Sequence, residues 1–213
     1  RAARLPGASD FHRVRAWQGV AHASALAHDA ALAIEANEWL AASEAVPESE
    51  RAAALGRLAQ TYSDEGQGAR ATALWRRLAE QYPHHQAART ARERLVEDAI
   101  GRADDDALLK LLAAARQASL PDAEALHAYA ATRLSQGNRK REALRVCDAL
   151  LGWRPSSEAG WGLAWRLHEE LGDAEGFLRR AVERARRESE VAGGLAVVAE
   201  SLAASSRPEQ QAR

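Results

Sequence analysis

The sequence contains no methionine, a single cysteine, two phenylalanines and three tyrosines in 213 residues. One thiol, Cys147, cannot build an internal disulfide framework or, by itself, a multi-cysteine zinc site, and it leaves the redox compartment open. No apolar run approaches the roughly 18 residues that suggest a membrane span, and the opening Arg-Ala-Ala-Arg-Leu-Pro-Gly has no apolar signal core. The lack of Met even at position 1 predicts a processed product or a piece of a longer protein. An excess of one charge is missing too. The 29 Lys and Arg nearly cancel 30 Asp and Glu, so no global field steers the chain toward nucleic acid or an anionic membrane.

Small apolar side chains are plentiful. Hydrophobic residues make up 46% of the chain, which argues against disorder, and the abundance of alanine favours helices because alanine loses no side-chain entropy there. Four prolines, Pro47, Pro83, Pro121 and Pro155, stand 36, 38 and 34 residues apart, a period that marks a recurring supersecondary unit. Proline lacks an N–H and restricts the residue before it, so each one marks a helix junction. Apolar residues between the prolines recur at helical spacing, and Gly, Asp or Asn split most intervals once more. This pattern predicts helices at 10–26, 29–45, 49–64, 69–82, 85–100, 104–118, 122–136, 139–153, 157–171, 174–188 and 190–204. Asp104, Asp122 and Ser157 are expected N-caps, since their side-chain oxygens can accept from first-turn N–H groups. The run Asp104-Asp105-Asp106 is explained by its place at a helix start, where carboxylates favour the dipole, better than by a metal site.

The residues inside these units resemble the tetratricopeptide repeat family. Leu55, Leu58-Ala59, Tyr62, Gly66, Ala71, Trp75 and Pro83 match its helix-turn-helix pattern in 52–83. Trp161, Ala164-Trp165 and Gly172-Asp173 begin a second copy, whose second helix is displaced by a residue. Leu126, Tyr129-Ala130, Gly137, Ala143, Cys147 and Pro155 form a third, with one extra residue after the glycine. The first interval keeps Trp39, Ala42 and Pro47 on its second helix, and 86–120 keeps little beyond amphipathicity. The resemblance implies an all-α, right-handed superhelical solenoid of about five antiparallel helix pairs plus a C-terminal capping helix. Its domain would span 10–204, with units 10–47, 49–83, 85–120, 122–155 and 157–188, a capping helix at 190–204 in which Glu200 solvates the terminal face, and flexible ends at 1–9 and 205–213. It further implies that aromatics and alanines form the core. Trp17, Trp39, Trp75, Trp153, Trp161 and Trp165 are accordingly read as packing residues before stacking platforms, with Trp17 and Trp153 the expected exceptions. Cys147 is expected to act as a small buried hydrophobe.

Chemistry has no visible anchor. The sequence has no phosphate-binding glycine loop, HExxH motif or nucleophile elbow, and Gly193-Gly194 follows no strand. His84-His85 reads as a surface turn, His22 and His28 do not share a helix face, and His168 beside Glu169-Glu170 reads as a solvated helix end. The basic runs Arg139-Lys140-Arg141 and Arg179 to Arg187 are interrupted by Glu142 and Glu183, which favours salt-laced faces over phosphate contacts. No catalytic residue, metal or cofactor is therefore expected, and nucleic acid is disfavoured as a partner.

The expected role is a non-catalytic scaffold that holds a protein or peptide. The resemblance places the binding groove on the first helix of each pair, at Arg57, Gln60, Thr90, Arg94, His127 and Arg166. Its three arginines suit an acidic or C-terminal segment. The Lys and Asn clamp with which some family members hold a chaperone tail is not matched, because Gly56 and Gln60 occupy its first two positions. The alternatives are a self-associating structural module, or the repeat segment of a larger bacterial envelope, secretion or polysaccharide-export protein. An Ala- and Arg-rich composition points to a GC-rich bacterial genome, and leaves a periplasmic, envelope or cytoplasmic setting open.

Overall fold

The computed structural model describes residues 9–187, which form ten α-helices and no strand. These are α1 (Asp10–Ala27), α2 (Ala30–Ala42), α3 (Glu48–Asp64), α4 (Gly68–Gln81), α5 (Gln86–Gly101), α6 (Asp105–Gln117), α7 (Ala123–Gln136), α8 (Lys140–Trp153), α9 (Glu158–Glu170) and α10 (Ala174–Arg187). The expected closing helix 190–204, with Gly193-Gly194 and Glu200, lies outside the described residues. So do the expected flexible ends, Ser9 apart. The chain has a tetratricopeptide-like helical-repeat fold. It forms two compact units that divide between Asp98 and Ala99, inside α5.

Helix ends follow local chemistry. Asp104 Oδ1 accepts from Ala107 N–H at 3.0 Å and Ser157 Oγ from Gly160 N–H at 3.1 Å. Asp122 stands at the N-cap of α7, but its side chain does not accept from the first turn. Asp29, placed inside a helix by periodicity, instead caps α2 through Leu32 N–H at 3.0 Å. At its other end α2 stops at Ala42, short of the expected residue 45, because Ser43 turns to extended backbone ahead of Pro47.

The two helices of every pair are joined by the same turn. One residue after the first helix adopts a left-handed conformation: His28 (φ 54°), Gly66 (71°), Ala103 (53°), Asn138 (59°) and Gly172 (73°). The following N–H then reaches back to the carbonyl five residues earlier: Asp29 to Ser24, Gln67 to Tyr62, Asp104 to Ala99, Arg139 to Leu134 and Asp173 to His168, at 2.8–2.9 Å. These bonds satisfy carbonyls that the helix end would otherwise leave unpaired. Glycine takes this conformation freely at two of the five turns, whereas Ala103 is strained by its Cβ.

Counted from that residue, the core repeats in register. The positions 11, 7 and 4 residues before it and 5 and 9 after it are buried in all five pairs. In the first pair they hold Trp17, Ala21, Ser24, Ala33 and Asn37, and in the second Leu55, Ala59, Tyr62, Ala71 and Trp75. The third holds Arg92, Val96, Ala99, Leu108 and Leu112, and the fourth His127, Ala131, Leu134, Ala143 and Cys147. The fifth holds Trp161, Trp165, His168, Phe177 and Ala181. Two expectations are corrected by this register. The extra residue after Gly137 disappears because Asn138, not the glycine, occupies the left-handed site. The apparent displacement in the last pair disappears because Phe177 and Ala181 hold the usual positions with large and small exchanged.

Packing follows the same logic. Trp17 stacks on Trp39 with ring centroids 5.8 Å apart and is buried, so it is a core residue and not the exception expected. Ala42, read as part of the repeat pattern, is exposed, and Ala36 and Leu40 are the fully buried residues of α2. Gly160 lets α9 approach α8, since a Cβ there would stand 3.0 Å from Leu151 Cδ2 and 3.1 Å from Leu150 Cδ2. Cys147 is 1% exposed, and burial pushes its thiol up to about 12, as befits a small hydrophobe.

A Cβ at Gly66 would meet nothing within 4 Å, so its replacement tests backbone strain alone. Gly66→Ala is expected to lower the unfolding free energy by about 1 kcal/mol, and Ala103→Gly to raise it by a few tenths to ~1 kcal/mol. Urea unfolding measures both, and an Ala103→Gly chain less stable than its parent would contradict the strain account.

Candidate functional site

Within the first unit, α2 packs against both α1 and α3. A cleft of about 350 Å³ opens over it, walled by the C-terminal halves of α1 and α3. Its floor is built from small residues, Ala21, Ala30 and Ala33, which leave room where larger side chains would fill it. Asn37, 2% exposed, is the polar element of this floor. Its Nδ2 donates to Ala33 O at 2.8 Å, and its Oδ1 accepts from Arg57 Nε at 2.9 Å. Arg57 is held further by Glu50 at 2.7 Å, and Gln60 Nε2 donates to Asp64 Oδ1 at 2.7 Å. The cleft thus presents side chains fixed in orientation before any partner arrives, which reduces the entropy lost on binding.

Of the residues expected to line a groove, Arg57 and Gln60 come together in this cleft. Thr90 and Arg94 are exposed on α5, with Arg94 paired to Glu97 at 3.2 Å. Arg166 is exposed on α9, where its Nε donates to Gly162 O of its own helix at 3.4 Å. His127 is not on a surface. It is 3% exposed, its Nδ1 lies 2.7 Å from Ala123 O, and its ring leans on Trp153 at 5.7 Å. The corrected register explains this, because His127 is equivalent to Leu55 and Trp161 and not to Arg57. An acidic partner also loses its main support, since Arg57 and Arg94 already have carboxylate partners.

The second unit holds a polar cluster that the sequence did not reveal. His168, expected at a solvated helix end, is 5% exposed. Its Nδ1 is 3.2 Å from Asp173 Oδ2, Arg180 Nη2 approaches Nε2 at 2.8 Å, and its ring lies against Phe177 at 5.4 Å. Phe177 in turn meets Trp161 and Trp165, so one aromatic group ties α10 to α9. Arg180 Nη2 also lies 3.1 Å from Nδ1, so the guanidinium faces both ring nitrogens and disfavours a second positive charge on the ring. Burial, followed by the nearby Arg180 charge, lowers its pKa from the ordinary 6.5. Burial also lowers that of His127.

Several residues of the remaining charged runs have local partners. Arg139 pairs with Asp105 and Glu142, Lys140 with Glu170 at 2.9 Å, and Arg184 donates to Leu151 O at 2.8 Å. Glu124 joins α7 to the start of α9, accepting from Ser157 Oγ at 2.6 Å and from Arg154 at 2.8 Å. His85 Nδ1 accepts from Ala87 N–H at 3.1 Å, so this half of the His84-His85 pair serves the start of α5. Among the described residues no group of three or more His, Cys, Asp or Glu side chains is placed to hold a metal ion, and no helix is long and apolar enough to cross a membrane.

The sequence matches no protein-family model. It also matches no curated protein. Among solved structures it is similar to MamA AMB-1, at 19% identity over 85% of this chain and 94% of that one, with a TM-score of 0.45. It is also similar to a Podosopora anserina putative kinesin light chain with nearly identical TPR-like repeats, at 17% identity over 83% and 97% of the two chains and a TM-score of 0.44. Likeness at this level concerns the course of the helices and carries no argument about partners.

Both histidines have pKa values below their unfolded value, so the unfolded chain binds more protons as pH falls through 6.5 toward the lowered folded values. Stability is therefore expected to be complete above pH 6.5 and to decline on acidification through that window. His168→Gln, which cannot protonate, should flatten the decline. Urea midpoints at about pH 7.5 and about pH 5.5, on either side of that window, measure it. An unchanged pH dependence in the variant would exclude His168 as a contributor.

Proposed function

We propose that this chain is a non-catalytic interaction scaffold, and that the cleft between α1, α2 and α3 holds a peptide segment of a partner protein. The observation that carries this reading is the preorganised polar lining: buried Asn37 holds Arg57, a residue of the α3 wall, at 2.9 Å in a cleft of about 350 Å³. That volume falls in the range of sites that take a few side chains. Gln60 and Thr61 supply amide and hydroxyl oxygens able to accept from an extended backbone, while Ala21 and Ala33 supply apolar contact. Such a site selects by shape and hydrogen bonding and asks no bond to be broken.

A second reading, self-association, draws on α1, whose Phe11 and Leu26 are 67% and 71% exposed. Light scattering across a wide concentration range separates the two, because a strictly monomeric chain removes self-association.

The cleft can be filled without disturbing the core by Gln60→Trp, since Gln60 is only half-buried at the rim. This variant is expected to capture peptide partners at least about tenfold more weakly, the equivalent of about 1.4 kcal/mol, while its helical circular dichroism stays unchanged. Equal capture by the variant would place the binding surface elsewhere.

A further inference from the structure

Resting on the reading of this cleft as a peptide site, we infer that its occupant is a basic segment, anchored by a lysine or arginine side chain at the end formed by the C-termini of α1 and α3. Three carboxylates line that end: Asp29 after α1, and Asp64 and Glu65 at the close of α3. The lining has one permanent cation, Arg57. It sits two helical turns away, and Glu50 already neutralises it at 2.7 Å.

Backbone electrostatics act in the same direction. Two helices point their negative ends at this part of the cleft, and neither α1 nor α3 carries a basic residue in its last turn to offset its dipole. The positive end of α2 also lies here, but the Asp29 carboxylate already caps it. Small alanines line the cleft beside these exposed carboxylates, so an ammonium or guanidinium can meet the carboxylates while its methylenes pack on Ala21, Ala25 and Ala30. Charge of this kind raises the encounter rate and rejects acidic competitors. An acidic segment would meet like charge at that end and an arginine already paired with Glu50.

The test uses the whole chain and an array of defined synthetic peptides, with the Asp29→Asn, Asp64→Asn, Glu65→Gln variant beside the parent. These changes are close in shape. Asparagine caps a helix as aspartate does, and the amide oxygen that Asp64→Asn introduces can still accept from Gln60. The parent is expected to select peptides enriched in Lys and Arg. The variant should bind those peptides about tenfold more weakly and lose the enrichment. Peptides captured with no basic enrichment, or an enrichment that survives in a correctly folded variant, overturn this inference and leave the peptide-binding reading standing. Failure of the parent to capture any peptide overturns the peptide-binding reading and this inference with it.

Discussion

Each helix pair among the described residues turns through one residue held in the left-handed conformation, and that backbone constraint sets which positions of the pair are buried. Once the turn is made, the residues 11, 7 and 4 before it and 5 and 9 after it face inward. Alanines at several of these positions let backbones approach, and tryptophan, leucine or phenylalanine fills the space left elsewhere. Because the turn is a backbone constraint, it tolerates side-chain exchange. Ala71 with Trp75 and Phe177 with Ala181 solve the same packing problem in opposite order.

That tolerance also admits polar residues to core positions, where specific bonds hold them. Asn37 is tied to Ala33 and Arg57, His127 to Ala123, and His168 to Asp173 and Arg180. A buried polar atom without a partner would cost about 1–3 kcal/mol, so these bonds are a condition of the substitution. At Asn37 the same requirement has a second result. Its amide draws the Arg57 guanidinium over α2, and small residues around it leave the cleft open. At His168 the analogous requirement closes space, because Phe177 and Arg180 cover the ring.

Parts of this arrangement were legible in the sequence where local chemistry dictates them. The second pair could be read nearly residue by residue because glycine itself occupies the left-handed site at Gly66, and the motif positions Leu55, Leu58, Ala59, Tyr62, Ala71 and Trp75 proved buried. The fourth pair misled because Gly137 stands beside the true site, Asn138. A shift of one residue rotates a helix by about 100°, which carried His127 from the core to an imagined groove. His168 misled for another reason: its neighbours Glu169 and Glu170 are solvated, while the groups that bury it come from the turn and from α10.

The sequence by itself determined that the chain is helical, where each described helix begins and ends to within a few residues, and that the helices come in pairs at the 34- to 38-residue period of the prolines. These properties depend on proline, capping residues and alanine, whose effects reach only one or two turns. Tertiary structure alone decided which residue takes the left-handed turn when no glycine does, which polar side chains are buried, and where a cleft remains. Those outcomes depend on contacts between helices, which compensate the roughly 1 kcal/mol strain of Ala103 or the desolvation of Asn37, and no local pattern records that compensation.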